Sequence, residues 1–375
     1  MSRVLLALDK FKGSLTAAEA TRHLMTGLRR AAEDAELIGI PVADGGDGTV
    51  DAILAAGFER VTRVVEGPTG RPVEASLAVR GETAVVESAQ ASGLLRLQDG
   101  PEPLAASSFG TGQLIDAVVR MGCRRVILGV GGSACTDGGA GMLQALGARL
   151  RDIDGTELPP GGAALRRLHD LDLSGLLDMT GVTVLLATDV TAPLLGPKGA
   201  APVYGPQKGA GPEDVAVLEA GLTRWAEVLE SRTMVACAAA PGAGAAGGIG
   251  FAALAALGAE RLSGIDLVLD LTGFRSALHG ASLVVTGEGR IDAQTAHGKA
   301  PAGVARAAAR AGVPTVAVAG SCALSDRQLR RLGLAAAYTL SGIEPDPRAC
   351  HENAGPLLEK LAAHIARDWL AADAR

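Results

Sequence analysis

The sequence predicts an α/β fold made of two α/β domains with largely parallel or mixed sheets. Three observations carry that expectation. Short apolar runs alternate with longer Ala- and Leu-rich stretches of helical period, the pattern of βαβ units. Five of the runs stop at a cluster of Asp, Glu, Gly, Ser and Thr, and ligands of open α/β sheets bind at such strand ends. At 375 residues the chain is long enough for two domains.

The elements follow in order. Val4-Leu5-Leu6-Ala7-Leu8 reads as a buried strand running into Asp9-Lys10-Phe11-Lys12-Gly13-Ser14. Residues 16–32 form an amphipathic helix, with Thr16 and Glu19 spaced for a capping box. Ile38-Gly39-Ile40-Pro41-Val42 runs into Ala43-Asp44-Gly45-Gly46-Asp47-Gly48-Thr49, and a short helix is expected over 48–56. Residues 61–86 look like strands of a hairpin, interrupted at Gly67-Pro68-Thr69-Gly70 and at Gly81. Val126-Ile127-Leu128-Gly129-Val130 leads into Gly131-Gly132-Ser133 and a helix over 139–150. Val182-Thr183-Val184-Leu185-Leu186-Ala187 leads into Thr188-Asp189-Val190-Thr191. Residues 193–212 lack periodicity and read as a functional loop ahead of a helix over 214–230. Leu283-Val284-Val285 runs into Thr286-Gly287-Glu288-Gly289-Arg290-Ile291-Asp292, with helices to follow over 300–311 and 355–372.

Composition narrows the function. A net charge of −6 and an aromatic content of 2% argue against a nucleic-acid partner. The five cysteines contain no CxxC pair, so they read as reduced thiols of a cytoplasmic protein. Residues 4–8 are too short for a signal peptide. Residues 235–259 carry no charge, but Ala, Gly and Pro241 dominate there, so a buried loop and helix is expected rather than a membrane span. Neither a P-loop nor a GxSxG elbow nor an HExxH site is present. Gly242, Gly244 and Gly247 fit GxGxxG, but the residues ahead of them make a poor strand.

The turns carry the chemistry. Lys12 and Ser14 precede a helix and suit a phosphate, or they form a polar turn with a solvated lysine. Asp44 and Asp47 share a turn with three glycines, and two carboxylates so close call for a cation or a donor. The amides of Gly131, Gly132 and Ser133 can form an anion nest. Asp137 beside them would repel a phosphate unless a magnesium ion intervened. Cys135 reads as a packing residue. Asp189 can accept a proton from a substrate hydroxyl or cap its strand. Glu288, Arg290 and Asp292 form a mixed cluster in which Arg290 suits a carboxylate or phosphate, or a surface ion pair.

Taken in order, these motifs resemble the bacterial glycerate kinase family, the type unrelated to P-loop kinases. The resemblance rests on Phe11-Lys12-Gly13-Ser14-Leu15, Pro41-Val42-Ala43-Asp44-Gly45-Gly46-Asp47-Gly48-Thr49 and Ser108-Phe109-Gly110-Thr111-Gly112. It continues through Gly131-Gly132-Ser133-Ala134, Thr136-Asp137-Gly138-Gly139, Thr188-Asp189-Val190-Thr191, Gly205-Pro206-Gln207-Lys208-Gly209-Ala210 and Gly287-Glu288-Gly289-Arg290-Ile291-Asp292. Where the family often has Pro-Asp-Ser, this chain has Leu8-Asp9-Lys10.

The resemblance implies phosphorylation of D-glycerate, with ATP as co-substrate, Mg2+ as cofactor and the 2-hydroxyl as acceptor. It also implies a Rossmann-like domain of residues 1–66 plus 281–375. A flavodoxin-like domain of residues 67–280 is inserted in it, and the active site lies in the interdomain cleft. Asp189, Lys12 and Arg290 are the expected catalytic residues. Substrate and phosphate contacts are expected from Ser14, Gly45, Gly46, Thr49, Gly131, Gly132, Ser133, Thr191 and Gly287. Asp44, Asp47, Asp137 and Glu288 are the expected metal ligands. A homo-oligomer is compatible with this reading. Two rival readings are a nicotinamide-dependent dehydrogenase using residues 242–247 and a non-catalytic nucleotide sensor.

Overall fold

The computed structural model describes residues 2–371. Among them run thirteen strands: β1 (Arg3–Leu8), β2 (Glu36–Gly39), β3 (Glu59–Glu66), β4 (Pro72–Arg80), β5 (Thr83–Glu87), β6 (Arg125–Gly129), β7 (Arg149–Arg151), β8 (Asp170–Asp172), β9 (Thr183–Ala187), β10 (Glu260–Leu262), β11 (Leu283–Ile291), β12 (Thr315–Cys322) and β13 (Ala336–Thr339). The chain divides into two compact units. One holds the residues up to Asp44, Asp51–Gly57 and the residues from Ser263 on; the other holds Gly45–Val50 and Phe58–Leu262.

The first unit is a five-stranded parallel sheet in the order β13-β12-β11-β1-β2. Numbered within the unit and read from β2, that is 2-1-3-4-5, the flavodoxin-like version of a doubly wound sheet. The sequence carries no expectation of this order, because strand order depends on long-range pairing, which apolar periodicity does not report. Both faces are covered, as a parallel sheet requires. Val316 and Val318 of β12 join Leu24, Leu28, Leu358 and Ile365 on one side. Ala317 and Ala319, pointing the other way, join Ala305, Leu329 and Leu334.

The first helix, Ala17–Ala31, starts at the expected capping box. Glu19 N–H donates to Thr16 Oγ1 at 3.2 Å, and Thr16 N–H donates to Glu19 Oε2 at 2.9 Å. Its partner is the helix Ala354–Ile365, extended by the turn Ala366–Leu370. Ala372, the expected last helical residue, lies outside the described residues.

The second unit has a six-stranded mixed sheet in the order β10-β9-β6-β5-β4-β3. Strands β10, β9, β6 and β5 are parallel, and β5-β4-β3 is an antiparallel meander. The expected hairpin is present, but it starts at Glu59. Because β3 pairs with β4 along its whole length, it belongs with the second unit and not with residues 1–66. At the other boundary the helix Gly264–Leu271 goes with the first unit, where Ile265 packs on Gly303. The core of the second unit holds Leu114, Leu128, Leu186, Leu222 and Phe251, with Trp225 donating from Nε1 to Gly138 O at 2.9 Å.

Residues 193–212 contain a short helix, Ala200–Tyr204, and a 3-10 turn, Pro206–Lys208. Residues 235–259 form loop, 3-10 turn and the buried helix Ile249–Ala256. No helix among the described residues is long and apolar enough to cross a membrane.

Gly27 gives the sharpest packing test. A Cβ there would sit 2.4 Å from Glu359 O and 2.6 Å from Ala362 Cβ. Gly27→Leu is expected to destabilise the protein by about 3 kcal/mol, the upper end of overpacking. Urea unfolding with an unchanged midpoint would contradict this close helix–helix approach.

Candidate active site

In the first unit the chain leaves β1 for β2 on one side, while β11 continues to β12 and β13 on the other. The carboxyl ends of β1 and β11 therefore form the topological switch point, the standard ligand position of such sheets. Asp9 follows β1, and its N–H donates to Gly287 O at 2.8 Å. The segment after β2 stays alongside β1 through Ile40 N–H to Leu6 O and Val42 N–H to Leu8 O, which delivers Asp44. Glu288 lies in β11, is buried, and accepts from Thr295 Oγ1 at 2.7 Å and from Lys299 Nζ at 3.0 Å.

These three carboxylates feel one another. Burial pushes the Asp9 carboxyl well above its ordinary range; Asp44 adds to the rise and Glu288 adds less, while Lys10 pulls it back through charge and backbone N–H. Burial also raises Glu288, against the Thr295 hydroxyl and the Lys299 ammonium, and Asp44 adds to that rise.

Lys12 and Arg290 lie on backbone that meets at Gly289, the residue after Glu288. Phe11 is anchored in the core, and its backbone closes a loop with Leu15 through N–H···O bonds in both directions. The loop passes so close to Gly289 that a Cβ there would lie 3.3 Å from Lys12 N. Exposed Lys12 and Arg290 thus spring from adjoining backbone, and Arg290 Nε sits 3.5 Å from Asp292 Oδ2. Ser14 Oγ donates to Phe11 O at 3.2 Å, so its proton is spent inside the turn. Gly287 is required by packing: a Cβ would meet Val318 O at 2.3 Å.

In the second unit the glycine turn lies on the end of β6. A Cβ on Gly129 would be 2.7 Å from Gly45 O, and one on Gly131 would be 2.8 Å from Gly46 Cα. Asp47 Cβ is 3.3 Å from the Cβ position of Gly132, which has φ +63°. So Gly45, Gly46 and Asp47 come together with Gly131 and Gly132. Buried Thr49 donates from Oγ1 to Gly46 O at 2.6 Å, so its hydroxyl proton also serves the turn. Glu87, at the end of β5 and fully buried, accepts from Gly48 N–H at 3.2 Å and Val50 N–H at 3.0 Å. It fixes the start of the helix Thr49–Ala55.

A cavity of about 140 Å³ opens beside the Gly131 turn, and Val190, Tyr204, Lys208 and Gly247 help to line it. Lys208 is 2% exposed. Its Nζ donates to Ser133 Oγ at 3.0 Å, to Cys135 O and to Thr136 Oγ1 at 3.4 Å. Burial lowers the lysine's proton affinity, while Cys135 and Asp137 partly restore it. Asp189 follows β9 and precedes the cavity-lining Val190, whose N–H bonds to Thr188 Oγ1; Thr191 is exposed.

The four expected metal ligands divide evenly between the two units. Asp44 and Glu288 are in the first unit, Asp47 and Asp137 in the second. Among the described residues no group of three or more His, Cys, Asp or Glu is arranged around a metal position. Asp137 has a different task. It is 1% exposed, with Oδ2 accepting from Ser108 N–H, Ser108 Oγ and Gly141 N–H and Oδ1 accepting from Gly139 N–H, at 2.8–3.2 Å. That saturated carboxylate ties Ser108 to the turn ahead of the helix Ala140–Ala145. Burial pushes the Cys135 thiol up, as suits a packing residue.

Sequence reasoning missed Asp9, Glu87 and Lys208. Asp9 ends the first apolar run, a position that signals it. Glu87 and Lys208 have no local signal, since their partners lie tens of residues away. The GxGxxG match is a packing motif. Its glycines follow no strand, and Cβ atoms on Gly242, Gly244 and Gly247 would meet Arg261, Pro193 O and Cys135 O.

Comparison with known proteins agrees across nearly the whole chain. The family model described as "Glycerate kinase family" matches residues 4–370. A glycerate kinase of Bacillus subtilis (strain 168) is 42% identical over 369 residues, 97% of each chain. A glycerate 2-kinase of Escherichia coli (strain K12) is 45% identical over 325 residues, 85% of each chain. A crystal structure of a Salmonella typhimurium LT2 protein assigned as glycerate kinase 2 superposes with a TM-score of 0.84, at 40% identity and 99% coverage of both chains.

The switch-point carboxyls predict a pH signature. Asp9 and Glu288 bind protons more tightly folded than unfolded. Their contribution to stability is therefore complete below about pH 4, the unfolded range, and is lost as pH rises through their folded values. Asp9→Asn removes one of those costs. The ligand-free variant should melt about 2 °C higher than the parent at pH 7, the shift of roughly 1 kcal/mol in a large chain, and show no gain at pH 4. Calorimetry that finds no gain at pH 7 would refute the carboxylate cluster.

Proposed function

The chain belongs to the glycerate kinase family of enzymes, and from that premise we propose that it transfers the γ-phosphoryl group of ATP to the 2-hydroxyl of D-glycerate with magnesium. One observation carries the structural side of this reading. Asp9 and Glu288 gather with Asp44 at the switch point of the first unit at a cost to their own ionised forms, and Lys12 and Arg290 stand on the backbone that meets at neighbouring Gly289. Catalysis of phosphoryl transfer rests on placing charge, so such a group of carboxylates and cations is the expected equipment.

Lys12 and Arg290 are proposed to hold the glycerate carboxylate or the transferred phosphoryl group. Arg290 brings a forked donor set and Lys12 a point charge. The amides of Gly131 and Gly132 are proposed to face the nucleotide phosphates, because their turn carries no side chain that would keep an anion away. The first-unit carboxylates fit magnesium: a cation would offset the burial, and the lesser repulsion from Asp44, that raise Asp9 and Glu288. Mg2+ keeps several waters and needs only one or two carboxylates, so Asp44 and Glu288 suffice without a preassembled cage. Bound there, the ion would supply neutralising charge to the phosphates.

Asp189 is proposed as the group that orients or deprotonates the acceptor hydroxyl. Asp9 is the second candidate, favoured by its raised proton affinity. The free cysteines Cys123, Cys135, Cys237, Cys322 and Cys350, four of them buried, fit a reducing cytoplasm.

Two measurements test this. Purified protein should form ADP only when D-glycerate and Mg2+ are both present, and phosphorus NMR should show 2-phosphoglycerate. ADP formation that ignores D-glycerate would refute the reading, and 3-phosphoglycerate would overturn the regiochemistry. Asp189→Asn should lower kcat at least about 100-fold while KM changes little. Near-normal turnover in that variant would transfer the role to Asp9.

A further inference from the structure

We propose that Lys208 and Ser133 form an oxyanion subsite in the second unit, in which Lys208 holds Ser133 so that its hydroxyl donates to a phosphoryl group of the nucleotide. The identity of the anion as a nucleotide phosphate rests on the function proposed above. The existence of the anion subsite does not.

Lys208 is an ammonium buried at 2% exposure, and among the described residues no carboxylate forms an ion pair with it. Its three donors go to two hydroxyls and a carbonyl. A buried charge without a directly paired anion is costly, and an arriving anion would supply that partner. Asp137 offsets part of that cost through space, but its oxygens are turned to Ser108, Gly139 and Gly141 and make no ion pair with Lys208.

The lysine also decides what Ser133 can do. Ser133 is 3% exposed, and its Oγ takes a hydrogen from Lys208. Its own proton finds no acceptor among the described residues. A hydroxyl placed this way is an unused donor, and it lines the same cavity as Gly131 and Gly132. Donors next to a positive charge make the strong, charge-assisted bonds that phosphates prefer.

The far wall is strained in a way that makes room for the lysine. Ala246 adopts φ 50° and ψ 44°, a left-handed conformation unusual for a residue with a side chain, and Gly247 and Gly248 follow it with positive φ. A Cβ at Gly247 would lie 2.8 Å from Lys208 Nζ. At about 140 Å³ the cavity is below the roughly 300 Å³ at which pockets enclose a whole small ligand, so it suits a single phosphoryl group.

The test uses the full chain and its Lys208→Met and Ser133→Ala variants. Calorimetry measures the affinity for AMP-PNP, inorganic tripolyphosphate, adenosine and D-glycerate. Lys208→Met should weaken AMP-PNP and tripolyphosphate roughly 10- to 100-fold, as loss of a charged donor does, and change adenosine and D-glycerate less than about twofold. Ser133→Ala should show the same selectivity with about a tenfold loss, and it decides the matter if Lys208→Met fails to fold. Equal weakening of all four probes would mean a purely structural lysine and overturn the proposal. So would unchanged phosphate affinities, loss of D-glycerate affinity alone, or a parent protein that binds neither phosphate probe. The two readings fail separately. A parent with selective phosphate binding but no glycerate-dependent turnover keeps the subsite and loses the kinase reading. Normal turnover with unaltered phosphate affinities in both variants keeps the kinase reading and loses the subsite.

Discussion

Backbone lies on backbone at the ends of the central strands, and the placement of the chemistry depends on that contact. At the end of β6 the turn holding Gly45 and Gly46 rests directly on Gly129 and Gly131, with no room for a Cβ. At β11, Gly287 touches Val318 O and Gly289 faces the Lys12 loop in the same manner. Side chains at these positions would push the turns away from the strand ends. Glycine here is required by approach distance, and the polar groups of each unit gather where it permits them.

Within that framework the buried charges fall into two kinds. Glu87 and Asp137 are almost fully enclosed, and each is satisfied by several donors. They fix turns. Asp9, Glu288 and Lys208 are less well compensated: burial shifts each toward its neutral form, and neighbouring charges offset only part of the shift. Keeping ionisable groups under such burial is common at functional sites, since ligands of opposite charge can offset its cost. The difference between saturated and unsaturated charges, more than their position near glycines, separates scaffold from candidate site.

Local chemistry was legible in the sequence wherever it is local in space. The strand runs, the Thr16–Glu19 capping box, the hairpin and the buried stretch around Phe251 all follow from short-range pattern. Pairing across distance was not legible. The pattern around β1 does not report that β11 pairs directly beside it, nor in which register. Asp137 looked like a metal ligand because its partner Ser108 lies 29 residues earlier. Lys208 stands in a motif of the resemblance, but its role is not legible there because Cys135 lies 73 residues away. Ser14 and Thr49 showed hydroxyls in promising turns, but the turns themselves use those protons.

In the proposed function the second unit takes the phosphates while the first supplies carboxylates and cations. A crystal structure with AMP-PNP, Mg2+ and D-glycerate addresses that claim most directly. The account predicts phosphoryl oxygens within hydrogen-bond distance of the Gly131 and Gly132 amides and Ser133 Oγ, and the metal on Asp44 or Glu288. Phosphates bound away from the Gly131 turn, with the Lys208 cavity empty, would contradict it.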